Sequence, residues 1–148
     1  MNDTIRRARA EDLNAIVAML ADDQLKARYE QLGAASYFTA FAAIDRDPNQ
    51  LLVVADSAGE VVGTIQLSFI LGLSHAGATR ANLEGLQVRQ DRRRNGLGTR
   101  LLQWSVEEAR RRGCGLVQFT TDARRIEARR LYKHLGFVES HIGMKREL

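Results

Sequence analysis

Leu86-Gln-Val-Arg-Gln-Asp-Arg-Arg-Arg-Asn-Gly-Leu-Gly-Thr-Arg100 changes its period halfway along, and that change decides how the chain is read. Leading into it, Ala81 to Val88 carries an apolar side chain at nearly every second position, as a strand does. Beyond it, Leu97, Leu101, Leu102, Ser105, Val106 and Ala109 recur at helical spacing. The turn between holds Arg92, Arg93 and Arg94 and then Gly96 and Gly98. A helix begins with unpaired N–H groups and the positive end of its macrodipole, so an anion settles there if no side chain covers the backbone. The spacing Arg93-x-x-Gly96-x-Gly98 suits a pyrophosphate, because glycines accept a tight turn and let ligand oxygens reach the amides. The plainer alternative is two glycines that end a strand beside a solvated run of arginines. Two other nucleotide motifs are excluded. A dinucleotide fingerprint needs a third glycine where Leu101 stands, and a P-loop needs Gly-Lys-Ser/Thr.

Working outward, the 148 residues and 45% apolar content suit one domain spanning 1–148 that buries a core without staples. One cysteine, Cys114, excludes an internal disulfide framework, and three scattered histidines show no metal-ligand spacing. The Cys114 thiol reads as a small inert residue at the far end of the cradle helix. The first residues contain no apolar signal region, and no apolar run reaches membrane-spanning length, so a cytoplasmic protein without a membrane partner is expected. The net charge of +4 lies mostly after residue 88, where Glu107, Glu108 and Glu127 interrupt the arginines. A nucleic-acid-binding face would be less interrupted, which makes an arginine-rich nucleic-acid module the rival reading and no nucleic-acid partner the preferred one.

Thr4 to Ala8 reads as a first strand, Glu11 to Ala21 as a helix with Leu13, Ile16, Val17 and Leu20 on one stripe, and Ala35 to Ile44 as a second helix. The aromatics Tyr37, Phe38 and Phe41 are assigned to the core. Asp22 to Leu32 carries no clear pattern. Leu51 to Ala55 and Val61 to Phe69 flank Asp56-Ser-Ala-Gly59, a turn composition that predicts an antiparallel hairpin, with Leu71 to Thr79 as a loop. On the strand Arg80 to Val88, regular alternation places Asn82, Glu84, Leu86 and Val88 on one face. Glu84 is anomalous there: a carboxylate among apolar neighbours costs desolvation unless paired or set in a cleft, and partial burial would make it a better general base. A salt bridge to Arg80 or an edge position is the structural alternative. Leu116 to Thr121 is a strand parallel to its predecessor, Arg125 to Leu135 a helix capped by Gly136, and Phe137 to Ser140 with Met144 to Glu147 a closing hairpin.

The last helix contains Ala128-Arg-Arg-Leu131-Tyr132-Lys-His-Leu135-Gly136-Phe137. Together with the glycine cradle one strand-helix-strand earlier, this run resembles the GNAT superfamily of N-acetyltransferases. That family's signature is Arg/Gln-x-x-Gly-x-Gly/Ala followed by Ala-x-x-Leu/Phe-Tyr-x-x-x-Gly-Phe. The likeness is strong from Arg80 to Phe137 and covers only the order of elements before that. It implies an α/β (α+β) GNAT fold: a mixed central sheet of about six or seven strands, splayed between the fourth and fifth, flanked by about four helices. It further implies acetyl-CoA as cosubstrate, with Arg93 and the amides of Arg94, Asn95, Gly96, Leu97, Gly98 and Thr99 at the pyrophosphate and Leu86, Gln87 and Val88 beside the pantetheine. Tyr132 would protonate the departing thiolate, Glu84 would take the proton of a primary amine, and an N–H near Val88 would polarise the carbonyl. Two positions depart from the family pattern. Many members hold the base where Asn82 stands, and many carry Asn where Arg125 stands, so the cofactor contact there changes from amide to guanidinium. The acceptor implied is a small-molecule amine, with a non-catalytic acyl-CoA sensor as an alternative and a homodimer as the family's common assembly.

Overall fold

A computed structural model describes residues 2–25 and 27–148. Lys26, within the unpatterned stretch 22–32, lies outside the described residues. Contacts divide the chain into two compact units, Met1–Gln118 and Phe119–Leu148.

The first unit is a five-stranded sheet in sequence order: β1 Thr4–Arg7, β2 Gln50–Ser57, β3 Glu60–Ile70, β4 Arg80–Val88 and β5 Leu116–Gln118. Its first four strands are antiparallel neighbours, and β4 and β5 are parallel, as strand-helix-strand connectivity requires. The predicted hairpin is β2–β3, closed by Ala58 and Gly59 at φ 51° and 90°, the left-handed pair that matches the twist of two-residue turns. Helices α1 (Leu13–Ala21) and α2 (Ser36–Arg46) and helix α3 (Leu97–Arg111) supply the layers. Ile16 packs with Ala8 and Val54, joined by Leu20, Phe41 and Leu52, so the α1 stripe does bury itself. Phe38, assigned to the core from sequence, is 55% exposed. Against α3 the sheet presents Gly63, Ile65, Leu67 and Phe69; an added Cβ at Gly63 would stand 3.0 Å from Leu101 Cδ1 and 3.4 Å from Leu97 Cδ2. Leu97, Leu101, Leu102 and Ala109 are buried on the α3 stripe read from the sequence, and buried Ser105 satisfies its hydroxyl by donating 2.8 Å to the Leu101 carbonyl.

The β4–β5 ladder is short. It pairs Arg80, Ala81 and Asn82 with Leu116, Val117 and Gln118, leaving Leu83 to Val88 without a β5 partner, which is the splay implied by the family resemblance.

The second unit holds one helix, α4 (Ile126–His134), a nine-residue element. Gly136 follows it at φ 95°, the left-handed ending expected of a helix-closing glycine. The expected closing hairpin is not formed: residues 137–148 are neither strand nor helix, and Val138, Ile142 and Met144 are 82%, 90% and 93% exposed. An alternating pattern is legible in a sequence, but a strand exists only where another edge supplies its hydrogen bonds. The sheet therefore has five strands among the described residues, fewer than the six or seven expected.

Candidate functional site

The turn after β4 has the geometry the glycine spacing called for. Gly96 is the residue before α3 and holds φ 80°, ψ 4°, a left-handed conformation that costs glycine little. Arg94 is also left-handed at φ 64°. The carbonyl of Gly96 already accepts from the Arg100 amide at 3.0 Å, whereas among the described residues no backbone carbonyl takes the amides of Leu97, Gly98 or Thr99. A Cβ added at Gly98 would meet nothing nearer than Val88 Cγ2 at 3.8 Å. Unpaired amides at the start of a 15-residue helix, reached over a bare backbone, fit the diphosphate of a nucleotide-like ligand.

The arginines of the turn are arranged differently from the cationic cluster that the sequence suggests. Arg92 donates to both carboxylate oxygens of Asp3 at 3.0 and 2.9 Å, and Arg100 approaches the same carboxylate at 3.5 Å. Arg93 donates to the Val88 carbonyl at 3.0 Å and to Asp22 at 2.9 Å. Arg89 is shared between Asp91 and Glu60. Only Arg94 of the three consecutive arginines makes no such pair among the described residues. Arg92 and Arg93 thus brace the turn against the N-terminus and the end of α1. Asp3 and Asp22 have no sequence signal for this task, because they stand 89 and 71 positions from their partners. Farther on, Arg110 pairs with Glu107, and Arg111 and Arg112 pair with Glu108. Most arginines of the second half therefore sit against a carboxylate.

Strand β4 carries a second feature. Glu84 pairs with Gln66 and Gln87 with Thr64, so Ile65 alone spans Gly85 and Leu86. Gly85, at φ 65°, is the bulged residue. The extra residue inverts the alternation: Gln87, whose amide donates 3.0 Å to Asp23, shares a face with Asn82 and Glu84, while Val88 turns toward Gly98 on α3. This corrects the expected grouping of Asn82, Glu84, Leu86 and Val88. A glycine inside a strand pattern was the available signal. Glu84 itself is exposed, so the expected partial burial is also corrected.

In the second unit, Tyr132 sits half-buried on α4. Phe119 meets its ring edge-on at 4.7 Å and meets Phe137 edge-on at 4.8 Å, a three-ring cluster around the phenol. Burial pushes the phenol above its ordinary value, opposed by the charge of Arg125 and a hydrogen bond shared with Thr121, so the group is protonated at neutral pH. Arg125 stands immediately before α4, with its amide donating to the Asp122 carbonyl at 3.0 Å. Cys114 is only partly exposed, and burial raises its thiol, consistent with an inert residue. Among the described residues no His, Cys, Asp and Glu group could hold a metal, and no helix is long and apolar enough to cross a membrane.

Comparison with known proteins bears on these features together. A curated aminoalkylphosphonate N-acetyltransferase from Salmonella typhimurium is 33% identical over 144 residues, covering 97% of this chain and 90% of that protein. A crystal structure described as a transcriptional regulator from Bacillus halodurans superimposes with TM-score 0.97 at 41% identity, covering 99% of this chain and all of the other. A predicted acetyltransferase from Clostridium acetobutylicum, solved with acetyl-CoA, shares the fold at TM-score 0.76 and 16% identity over 99% and 96% of the two chains. The Acetyltransferase (GNAT) family matches residues 4–137, which with the Salmonella relative shows that this chain belongs to that family of N-acetyltransferases.

Proposed function

We propose that the chain transfers the acetyl group of acetyl-CoA directly to a primary amine of a small molecule, both units acting as one N-acetyltransferase domain. The observation that carries this reading is the cradle: three unpaired amides behind left-handed Gly96, beside a β4 edge that β5 leaves free. The cosubstrate supplies an acetyl group already activated as a thioester, so the protein needs only to bind, orient and move protons. Leu97, Gly98 and Thr99 offer amides to its diphosphate, with Arg93, Arg94 and Asn95 around the turn. Leu86, Gln87 and Val88 offer a free backbone edge to its extended arm, and Arg125 is assigned to the same cofactor.

Glu84 is the proposed base. It is exposed on the face of β4 that carries Asn82, and the acceptor's amine passes its proton there, directly or through water. A new N–C bond then forms as the C–S bond breaks, and the Tyr132 hydroxyl gives its proton to the leaving sulfur. Its raised pKa keeps that proton available. A backbone N–H near Val88 is assigned to hold the developing oxyanion. Because the Salmonella relative carries that name, aminoalkylphosphonates head the acceptor panel. The exposed apolar residues Val138, Ile142 and Met144 support a homodimer, which light scattering on the purified chain reads directly.

The test follows thiol release from acetyl-CoA over primary amines with and without an acidic group. Saturable turnover is expected, falling by about a hundredfold in Tyr132→Phe, the low end of general acid-base contributions because thiolate leaves readily. Acetyl-CoA binding with no turnover on any amine would favour a sensor and defeat the enzymatic reading. Turnover untouched by Tyr132→Phe would defeat the assigned acid.

A further inference from the structure

The face of the sheet that bears Glu84 also carries a row of neutral polar groups. From Arg80 to Glu84, β4 pairs with β3 without interruption, so Arg80, Asn82 and Glu84 point the same way, opposite Ile70, Ser68 and Gln66. Gln50 lies across from Ser68 on β2, and Gln118 across from Asn82 on β5. Four adjacent strands therefore place Gln50, Ser68, Asn82 and Gln118 in one line. Gln50 Oε1 accepts from Gln66 Nε2 and from Ser68 Oγ, each at 2.9 Å, which orients all three side chains. Gln66 and Thr64 also line a cavity of about 120 Å³ against α1 and α2.

Arg80 is the exception among the half-buried arginines of the sheet and the glycine turn. Arg6, Arg7, Arg89, Arg92 and Arg93 each hold a carboxylate, whereas half-buried Arg80 has no hydrogen bond or ion pair among the described residues. Taking a guanidinium partly out of water with no counter-ion costs free energy that a bound anion returns. Glu84 stands four residues away, roughly 13 Å along the strand at ~3.3 Å per residue, and both side chains can lean into that interval. Between them lie only neutral amides and hydroxyls.

We propose that Arg80 binds the anionic end of the acceptor, making the substrate a short primary amine with a terminal oxyanion, phosphonate or carboxylate, laid along β4 with its nitrogen at Glu84. Asn82, Ser68 and Gln66 line the tract between. The proposal rests on the reading of Glu84 as the amine-facing residue.

Two measurements on the full chain test it separately from that reading. In the first, kcat/KM is compared for 2-aminoethylphosphonate, β-alanine and the neutral propylamine. Arg80→Gln is expected to reduce the preference for an anionic acceptor over propylamine at least tenfold, Arg80→Lys to restore part of it, and the two acids to show which oxyanion fits. Equal loss on all three amines, or an unchanged preference, overturns the proposal. In the second, binding of 2-aminoethylphosphonate is titrated without acetyl-CoA. Binding to the wild type that Arg80→Gln abolishes and Arg80→Lys recovers supports the site even if no amine is acetylated, an outcome that would defeat only the enzymatic reading. Absence of binding to the wild type in that titration, together with no preference for acids in turnover, overturns it. Thermal melting of both variants verifies that the fold is intact.

Discussion

Gly63→Ala tests the coupling between the core and the cradle. Gly63 is an ordinary strand residue, not a left-handed one, so alanine meets no backbone strain there. Its difficulty is contact: the new methyl would stand 3.0 Å from Leu101 Cδ1, 3.4 Å from Leu97 Cδ2 and 3.4 Å from the Gln87 carbonyl. Carbon atoms prefer about 3.5–4.0 Å, so Leu101 must retreat by roughly 0.5–1 Å. It is fully buried. Overpacking of this kind costs about 1–3 kcal/mol, against which the stiffer unfolded chain returns ~0.4–1 kcal/mol. The net loss is about 1–2 kcal/mol, a Tm lower by roughly 2–8 °C for a domain of this size. Because Leu97 opens α3, the same push displaces the cradle amides, and acetyl-CoA should bind more weakly in calorimetric titration. Gly72→Ala is the control: it has nothing within 4 Å and no left-handed φ, and it should melt like the wild type. A Gly63→Ala protein with unchanged Tm and unchanged acetyl-CoA affinity would refute the idea that close packing of α3 on β3 sets the cradle.

Gly96→Ala meets no neighbour within 4 Å, so its cost is purely the left-handed backbone, about 1–2 kcal/mol; denaturant melts should show that loss, and acetyl-CoA affinity should fall with it. Asp3→Asn leaves Arg92 without its counter-charge at a site where the aspartate side chain is 4% exposed, and should cost about 1–3 kcal/mol in urea unfolding while raising the acetyl-CoA Kd, because Arg92 and Arg100 no longer tether the turn. Acid should expose a second pair. Arg6 hydrogen bonds, outweighing burial, hold the Asp12 carboxyl below its ordinary value, so its contribution is fully present above the unfolded carboxylate range near 4 and is lost as pH falls through the folded value. Melting followed from pH 6 to pH 2 should decline below about pH 4, and Asp12→Asn should start lower and decline less. A parallel decline would remove Asp12 from the account.

Local pattern determined much of this protein. The β2–β3 turn, the α1 and α3 stripes, the period change at the glycine turn and the closure of α4 at Gly136 are short-range matters of rotamer, amide and dihedral, and each is written within a few residues of where it acts. The pairing of the glycine turn with the Tyr132 motif was likewise legible and led to the family. Tertiary structure alone decided what those pieces touch. Arg92 and Arg93 read as free cations in a string of letters, but carboxylates far away in the chain pair with them. One extra residue at Gly85 inverts every side chain after it, which alternation counting cannot see without the partner strand. The tail 137–148 alternates like a strand and is not one, and Arg80 becomes noticeable only when its neighbours on three other strands are known. Charge pairing, register and strand edges depend on which distant segments meet, and that is settled by the packing of the whole sheet.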